Sequence, residues 1–190
     1  MPGSGSYLLG PGFRRDDIVI FLCASAPLRL IKMTKTALIA AAVIFILDQI
    51  TKSLVLKFVA GHKIALLPFF NLVLVWNRGV SFGMLSGDNP FAPLLLTIMS
   101  LIITGCLIVW ATRLTDKGLA AAVCAVIAGA LGNVVDRIRY GAVVDFLDFH
   151  IMGWHYPAFN VADSAIVLGI AFIVFDSIFL EAKRKNTEQT

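Results

Sequence analysis

Apolar residues are concentrated in four long runs, which are separated by more polar segments. The runs cover Thr36–Val59, Phe91–Trp110, Gly118–Val135 and Val161–Leu180. A hydrocarbon core of ~30 Å is spanned by about 20 helical residues at a rise of ~1.5 Å each. Because each run is close to that length, the pattern predicts four transmembrane helices.

Two of these runs carry features beyond hydrophobicity. In the first, Asp48 and Lys52 are four residues apart and therefore lie on one helical face. We interpret them as a structural pair that compensates its own burial. In the third run, Ala121, Ala125 and Gly129 recur at four-residue spacing. Small residues at this spacing let helix backbones approach closely in lipid.

The two longest segments between the runs, Ala60–Pro90 and Arg137–Asn160, contain stretches that are typical of β-strands. Phe69–Trp76 is rich in β-branched and aromatic residues, which favour extended structure. Val143–Phe149 is a second short strand that could pair within these segments. We expect amphipathic pieces on the outer membrane surface and not a separate soluble domain.

The overall composition supports a location in lipid. Hydrophobic residues make up 58% of the chain and charged residues 15%, whereas soluble domains carry roughly 25% charged residues. In a soluble protein the net charge of +4 would suggest nucleic acid, but here the basic residues lie in loops and near the ends of the chain. We therefore predict no nucleic-acid partner.

The distribution of basic residues predicts the orientation of the helices, because cytoplasmic loops are enriched in Lys and Arg. Basic residues precede the first helix, occupy the short loop between the second and third, and follow the fourth: Arg29, Lys32, Lys35, Arg113, Lys117, Lys183, Arg184 and Lys185. Both termini and the short loop are then cytoplasmic, and the two long segments face outward. Four basic residues of the outer segments run against this bias: Lys63, Arg78, Arg137 and Arg139.

Residues 1–32 differ from the rest of the chain. Gly, Ser and Pro are frequent in residues 1–12, as is typical of disorder, and a short apolar run follows. This order of parts resembles a signal peptide, but a complete spanning segment comes almost directly afterwards. We predict a dispensable extension over 1–32, a four-helix membrane domain over 33–185 and a cytoplasmic tail over 186–190.

Two carboxylates are candidates for chemistry because an ionisable group in or near lipid is costly. Asp136 ends the third run and Asp163 opens the fourth, so the predicted topology places both at the outer end of the bundle. Two carboxylates in contact cannot both ionise easily, and the pair then shares a proton. One member can take a proton from water while the other polarises a peptide carbonyl. The pattern thus predicts peptide hydrolysis without a metal or a nucleophile.

Structural roles for the same two residues are equally compatible with their positions. Asp163 could cap the start of its helix, and Asp136 could form an ion pair with Arg137. Asn133 and Asn160 each lie three residues before one of the two carboxylates. This repeated spacing favours a polar cluster.

The other acidic residues have simpler interpretations. We expect Asp145 or Asp148 to pair with Arg137 or Arg139 and to take no part in catalysis. Asp176 should lie about 20 Å from Asp163 along the fourth helix, near the cytoplasmic side.

Zinc and serine peptidases do not fit the sequence. His62, His150 and His155 form no HExxH motif, and we predict no metal and no cofactor. Ser81 does not lie in a Gly-x-Ser-x-Gly motif.

Five segments, in this order, resemble the motifs of the bacterial lipoprotein signal peptidases (signal peptidase II). They are Asp48–Lys52, Asn77–Gly83, Gly129–Arg137, Val144–Phe146 and Pro157–Asp163. The resemblance covers roughly residues 33–183, and residues 1–32 are not required by it. Short motifs occur by chance, but five in order on the predicted membrane frame form a specific pattern.

The resemblance implies an all-α membrane protein, a four-transmembrane-helix bundle with a small extracytoplasmic β-rich cradle. It also implies cleavage of diacylglyceryl-modified prolipoproteins before the lipid-bearing Cys, at the outer face of the bacterial cytoplasmic (inner) membrane. Asp136 and Asp163 are the implied catalytic pair. Support of this pair or binding of substrate is implied for Asn133, Arg137, Asn160, Asn77, Gly79, Asp48 and Lys52. Membrane lipid and globomycin-type cyclic peptides are the other implied partners.

Two other classes of membrane protein predict different patterns. A transporter or proton channel would place acidic residues through the depth of the bilayer or break helices at mid-depth. Here the second run has no charged residue, and the main carboxylates lie at one end. A purely structural membrane protein would tolerate the loss of either carboxylate.

Overall fold

The computed structural model describes residues 35–79 and 91–180. Its helices are α1 (Lys35–Phe58), α2 (Ala92–Ala111), α3 (Lys117–Tyr140) and α4 (Val161–Phe175), which continues as a π-helical turn over Asp176–Leu180. Its strands are β1 (Ile64–Leu67), β2 (Phe70–Asn77), β3 (Val143–Ile151) and β4 (Trp154–His155). The predicted extension and tail lie outside the described residues.

The four predicted spans are confirmed as helices. Their most apolar windows have mean hydropathies between 1.9 and 2.4, and each helix is long enough to cross a membrane. The main difference concerns α3, which was predicted to end at Val135 and continues to Tyr140. The helix ends only where Gly141 adopts a left-handed conformation with φ +68° and its N–H bonds to the Arg137 carbonyl. The helix therefore continues beyond its apolar run for one more turn, which is mostly polar.

Helix α3 is the centre of the bundle. More than half of its apolar window is buried, 56%, against 17% for each of the other three helices. Two glycines allow this close packing: a Cβ on Gly129 would collide with the carbonyl oxygen of Ala162, and one on Gly132 would lie 2.6 Å from Asp48 Oδ2. The close helix approach predicted from small residues is confirmed at Gly129.

The strands form one antiparallel order, β1-β2-β3-β4. β2 pairs with β3 from Phe70 opposite Phe149 to Asn77 opposite Val143, with an irregularity between Leu72 and Val75. The two strands predicted from the sequence are therefore confirmed. We call this sheet the cradle.

The cradle packs onto the end of α1. Val55 and Val59, from the end of α1 and just beyond it, form a buried cluster with Val144 and Phe146 of β3. β3 begins just after α3 ends, and α4 begins shortly after β4. The cradle and three helix ends thus meet at one end of the bundle, where the polar side chains collect.

Candidate active site

Helix α4 begins with a capping box. The Asp163 backbone N–H donates to Asn160 Oδ1 at 2.9 Å, and the Asn160 backbone N–H donates to Asp163 Oδ2 at 3.3 Å. The capping role that the sequence left open for Asp163 is therefore present. Its other oxygen, Oδ1, accepts a hydrogen bond from Asn133 Nδ2 at 2.7 Å. Asp163 thus joins the helix cap to a polar cluster on α3.

Lys52 is the buried cation of this cluster. Its Nζ lies 2.8 Å from Asp48 Oδ2 and 2.9 Å from Asp136 Oδ2, and it donates to Asn133 Oδ1 at 3.0 Å. Only 2% of Lys52 is exposed. The predicted pair with Asp48 is confirmed. Asp48 Oδ1 also accepts the Ala162 backbone N–H at 2.9 Å, so α1 supplies a partner for the first turn of α4.

Replacing Lys52 by methionine is expected to destabilise the protein by roughly 3–5 kcal/mol, because two buried carboxylates lose their shared cation. Thermal unfolding of the purified protein in detergent measures the effect. Lys57→Met is the matched control, since Lys57 is exposed on the same helix. Equal midpoints for the two variants would contradict the role assigned to Lys52.

Asp136 is held by donors of its own. Besides Lys52, its Oδ2 accepts the Val144 backbone N–H at 3.1 Å. Its ion pair is therefore with Lys52 on α1, and the alternative of a pair with Arg137 is not observed among residues 35–79 and 91–180. The contacts that connect Asp136 to Asp163 run through Lys52 and Asn133.

Asp145, on β3, belongs to the same polar cluster, because Asn160 connects it to Asn133. Asn160 Nδ2 donates to its Oδ1 at 2.7 Å and Asn77 Nδ2 to its Oδ2 at 2.9 Å. The Gly79 backbone N–H bonds to Asn77 Oδ1 at 2.8 Å and fixes that amide, while Gly79 itself has a φ of +93°. Only 1% of Asp145 is exposed. Asn77 and Asn160 thus bind a carboxylate for which no catalytic part was expected from the sequence, and Gly79 orients Asn77.

The environment of Asp145 changes its ionisation. Burial raises the pKa of Asp145 to about 6, and the negative charge of Asp163 adds to the increase. The hydrogen bonds from Asn77 and Asn160 and the charge of Lys52 oppose it. A carboxyl group with this pKa exchanges its proton near neutral pH.

The expected pairing of Asp145 or Asp148 with an arginine is wrong for the described part of the chain. Asp148 instead accepts hydrogen bonds from Asn71 Nδ2 at 2.8 Å and from His155 Nδ1 at 2.7 Å. Burial raises the pKa of Asp148, but these two hydrogen bonds, together with the charges of His155 and His150, outweigh it and the net shift is downward. Asp148 therefore joins β2, β3 and β4. One sequence signal distinguished Asp145: it is a lone charge within the apolar run Val143–Leu147.

Arg137 completes the charged groups at this end of the bundle. Its side chain is partly buried and lies within electrostatic range of Asp163, Asp145 and Asp136. Its Nε is buried and has no hydrogen-bond partner among residues 35–79 and 91–180. A carbonyl oxygen placed beside it would supply an acceptor.

The described side chains therefore gather buried carboxylates, side-chain amides and the Lys52 ammonium at the cradle end of the bundle. In the two described ranges, no group of three His, Cys, Asp or Glu side chains is arranged to hold a metal ion. Carboxylates that share a proton can activate water and protonate a leaving group. Fold and site together define a multi-pass membrane protein with the groups of an aspartic peptidase.

The chain belongs to the signal peptidase II family. The family model, described as signal peptidase (SPase) II, matches residues 40–179. A lipoprotein signal peptidase of Paraburkholderia phymatum is 43% identical over 141 residues, which cover 73% of this chain and 84% of the relative. A second, from Janthinobacterium sp. (strain Marseille), is 43% identical over 140 residues, which cover 73% and 85%. The function is that of a lipoprotein signal peptidase, an aspartic peptidase that acts on prolipoproteins.

Solved structures match the same architecture. A bacterial membrane enzyme determined at 1.9 Å resolution by the in meso method is 31% identical, with a TM-score of 0.67, over 77% of this chain and 94% of that one. Another, at 2.3 Å, is 30% identical with a TM-score of 0.66, over 83% and 92%. The expected bundle with its β-rich cradle is confirmed.

Proposed function

We propose that the protein cuts diacylglyceryl-modified prolipoproteins immediately before the lipid-bearing Cys, with Asp145 and Asp163 as the catalytic pair. The observation that carries this assignment is the position of Asn160. Its side-chain amide donates to the Asp145 carboxylate and its backbone N–H donates to the Asp163 carboxylate, so both carboxylates contact one fully buried residue.

Asp145 is favoured over Asp136 as the partner of Asp163 because the two differ in charge compensation. Asp136 forms an ion pair with the Lys52 ammonium, which occupies its Oδ2. Asp145 is bound by neutral amides, and its charge interacts with that of Asp163. We assign Asp136, with Asp48, Lys52 and Asn133, to holding the pair in place.

The pair acts with one shared proton. The ionised carboxylate removes a proton from a water molecule, whose oxygen attacks the scissile carbonyl carbon, while the protonated carboxyl donates a hydrogen bond to the carbonyl oxygen. The tetrahedral intermediate then collapses and the C–N bond breaks, while the carboxyl group that took the proton from water passes a proton to the leaving amine. Arg137 orients the substrate through its Nε, which has no partner in the described part of the chain, and Asn77 and Gly79 line the substrate groove.

Membrane lipid supplies part of the positioning. The site lies at the ends of α1 and α3 and the start of α4, where a Cys with two acyl chains in the outer leaflet would be at the same depth. Anchoring the substrate in the bilayer reduces the entropy lost on reaching the site. We place this end at the outer face of the bacterial inner membrane, with both termini in the cytoplasm.

A reporter fused after Thr190 tests the orientation. Because the basic residues lie mainly beside the opposite helix ends, a fluorescent protein in this position is expected to fold in the cytoplasm, and a phosphatase is expected to stay inactive. Active phosphatase in this position would contradict the proposed orientation.

The proposed activity is tested with the purified full chain and a lipidated precursor. Mass spectrometry is expected to identify a single cut immediately before the lipid-bearing Cys, and an unlipidated precursor of the same sequence is the control. Globomycin-type cyclic peptides are expected to inhibit the reaction by occupying the pair. Equal cleavage of both precursors, or a cut elsewhere, would contradict the proposed specificity.

The pH dependence of cleavage reports on Asp145. Asn77→Ala removes a hydrogen bond that lowers the pKa of Asp145, so the carboxyl group keeps its proton to higher pH. Because the reaction needs one protonated carboxyl, the alkaline decline of kcat/KM is expected to move to higher pH. Asn71→Ala, which removes the corresponding amide from Asp148, is expected to leave that decline in place. An unchanged or lower midpoint in Asn77→Ala would count against a protonated Asp145.

A further inference from the structure

A groove of about 560 Å³ lies between α1 and α4. Both helices pack against α3 and contact each other much less, so α3 forms its floor. Ala121 and Ala125 lie on this floor, while Leu47 of α1 and Ala165 of α4 form parts of its walls. The lining is almost entirely apolar.

The groove begins next to the proposed catalytic pair. Val161 and Ser164 line its outer end, and they flank Asp163 in the first turn of α4. It extends along α4 as far as Phe172, which is about 11 residues or ~16 Å of helix. One continuous surface therefore connects the site with the opposite half of the bundle.

We propose that this groove binds the apolar segment of the substrate's signal peptide as a helix antiparallel to α4. The proposal rests on the proposed function. An apolar signal segment has about 7–15 residues, or ~10–22 Å as a helix, and it precedes the cleavage site. A helix that ends at Asp163 and runs along the groove places the scissile bond at the pair. The small side chains of α3 allow the backbones to approach closely.

Filling the groove tests the proposal. Ala165→Phe places a ring in it, and Ala171→Phe is the matched control because Ala171 is exposed on the same helix and does not line the groove. Two lipidated precursors share the residues around the cleavage site, but one has a full apolar segment and the other a shortened one. Ala165→Phe is expected to lower kcat/KM for the full precursor by about tenfold and to leave the shortened one nearly unchanged.

The other results overturn the proposal. No loss with either precursor would mean that the groove holds only lipid acyl chains. An equal loss with both would mean that the substitution acts on the catalytic pair and not on the signal segment. Failure of the proposed function itself looks different, because the unsubstituted protein would then cut neither precursor.

A crosslinking experiment covers the case in which Ala165→Phe does not fold. The full precursor carries a photoreactive residue in the middle of its apolar segment. It is mixed with the unsubstituted protein and irradiated. Mass spectrometry is expected to locate the crosslinks on α3 and α4 near Ala125 and Ala165. Crosslinks confined to α2 would overturn the proposal.

Discussion

Asp145→Asn is expected to lower the cleavage rate by at least about a thousandfold, as the loss of an acid–base group does when it acts directly on the reacting atoms. An asparagine keeps the size of the side chain but cannot take up or release the shared proton. Its hydrogen bonds with Asn77 and Asn160 are also disturbed, because the two amides donate to Asp145. The assay measures single-turnover release of the signal peptide from a lipidated precursor.

Two further substitutions make the result decisive. Asp148→Asn changes another buried carboxylate on the same strand that contacts no member of the pair, and it is expected to retain cleavage. Asp136→Asn weakens the ion pair with Lys52 and is expected to lower the unfolding temperature more than Asp145→Asn does. Retained cleavage in Asp145→Asn together with full loss in a stably folded Asp136→Asn would restore the pair expected from the sequence.

Asp163→Asn is also expected to abolish cleavage, while the protein still inserts into the membrane. In the proposed mechanism the carboxylate has a chemical function besides its structural one, in which one oxygen completes the capping box of α4 and the other accepts from Asn133. The chemical function requires ionisation, which asparagine lacks. The structural function is worth about 1 kcal/mol, the usual cost of a lost helix cap.

A substitution at the helix cap of α3 is the control that distinguishes the loss of a cap from the loss of the chemical function. Asp116 accepts the Leu119 backbone N–H at 2.8 Å at the start of α3, far along the chain from the pair. Asp116→Ala is expected to lower the unfolding temperature to a similar degree and to retain cleavage. If Asp163→Asn keeps activity, or if Asp116→Ala loses it as completely, Asp163 acts only as a cap. The double substitution of Asp145 and Asp163 is expected to be no slower than either single one, since both serve one proton transfer.

Much of the frame follows from residues that are close in sequence. Helix formation needs only a long apolar run, and lipid leaves the backbone no other partner than itself. This is why four spans, two main strands and the four-residue pair Asp48–Lys52 could be predicted. The predicted end of α3 is too early because the last turns of the helix are polar. A change from apolar to polar residues indicates where the chain leaves the hydrocarbon core, and a helix can continue beyond that point.

The neighbours of a carboxylate depend on residues that are far apart in sequence. Lys52 of α1 reaches Asp136 of α3 because Gly132 has no side chain to hold the helices apart. Asn160 reaches Asp145 because the cradle packs β3 beside the start of α4. Neither contact could be predicted from the spacing of residues along the chain.

The sequence by itself determined that this protein spans a membrane four times, carries a small sheet at one end and has the motifs of its family. Hydrophobic periodicity and local spacing contain that information directly. Only the tertiary structure decided which acids contact a lysine and which contact side-chain amides. That distinction depends on which residues from distant parts of the chain lie within about 3 Å of each carboxylate oxygen, the range of a hydrogen bond.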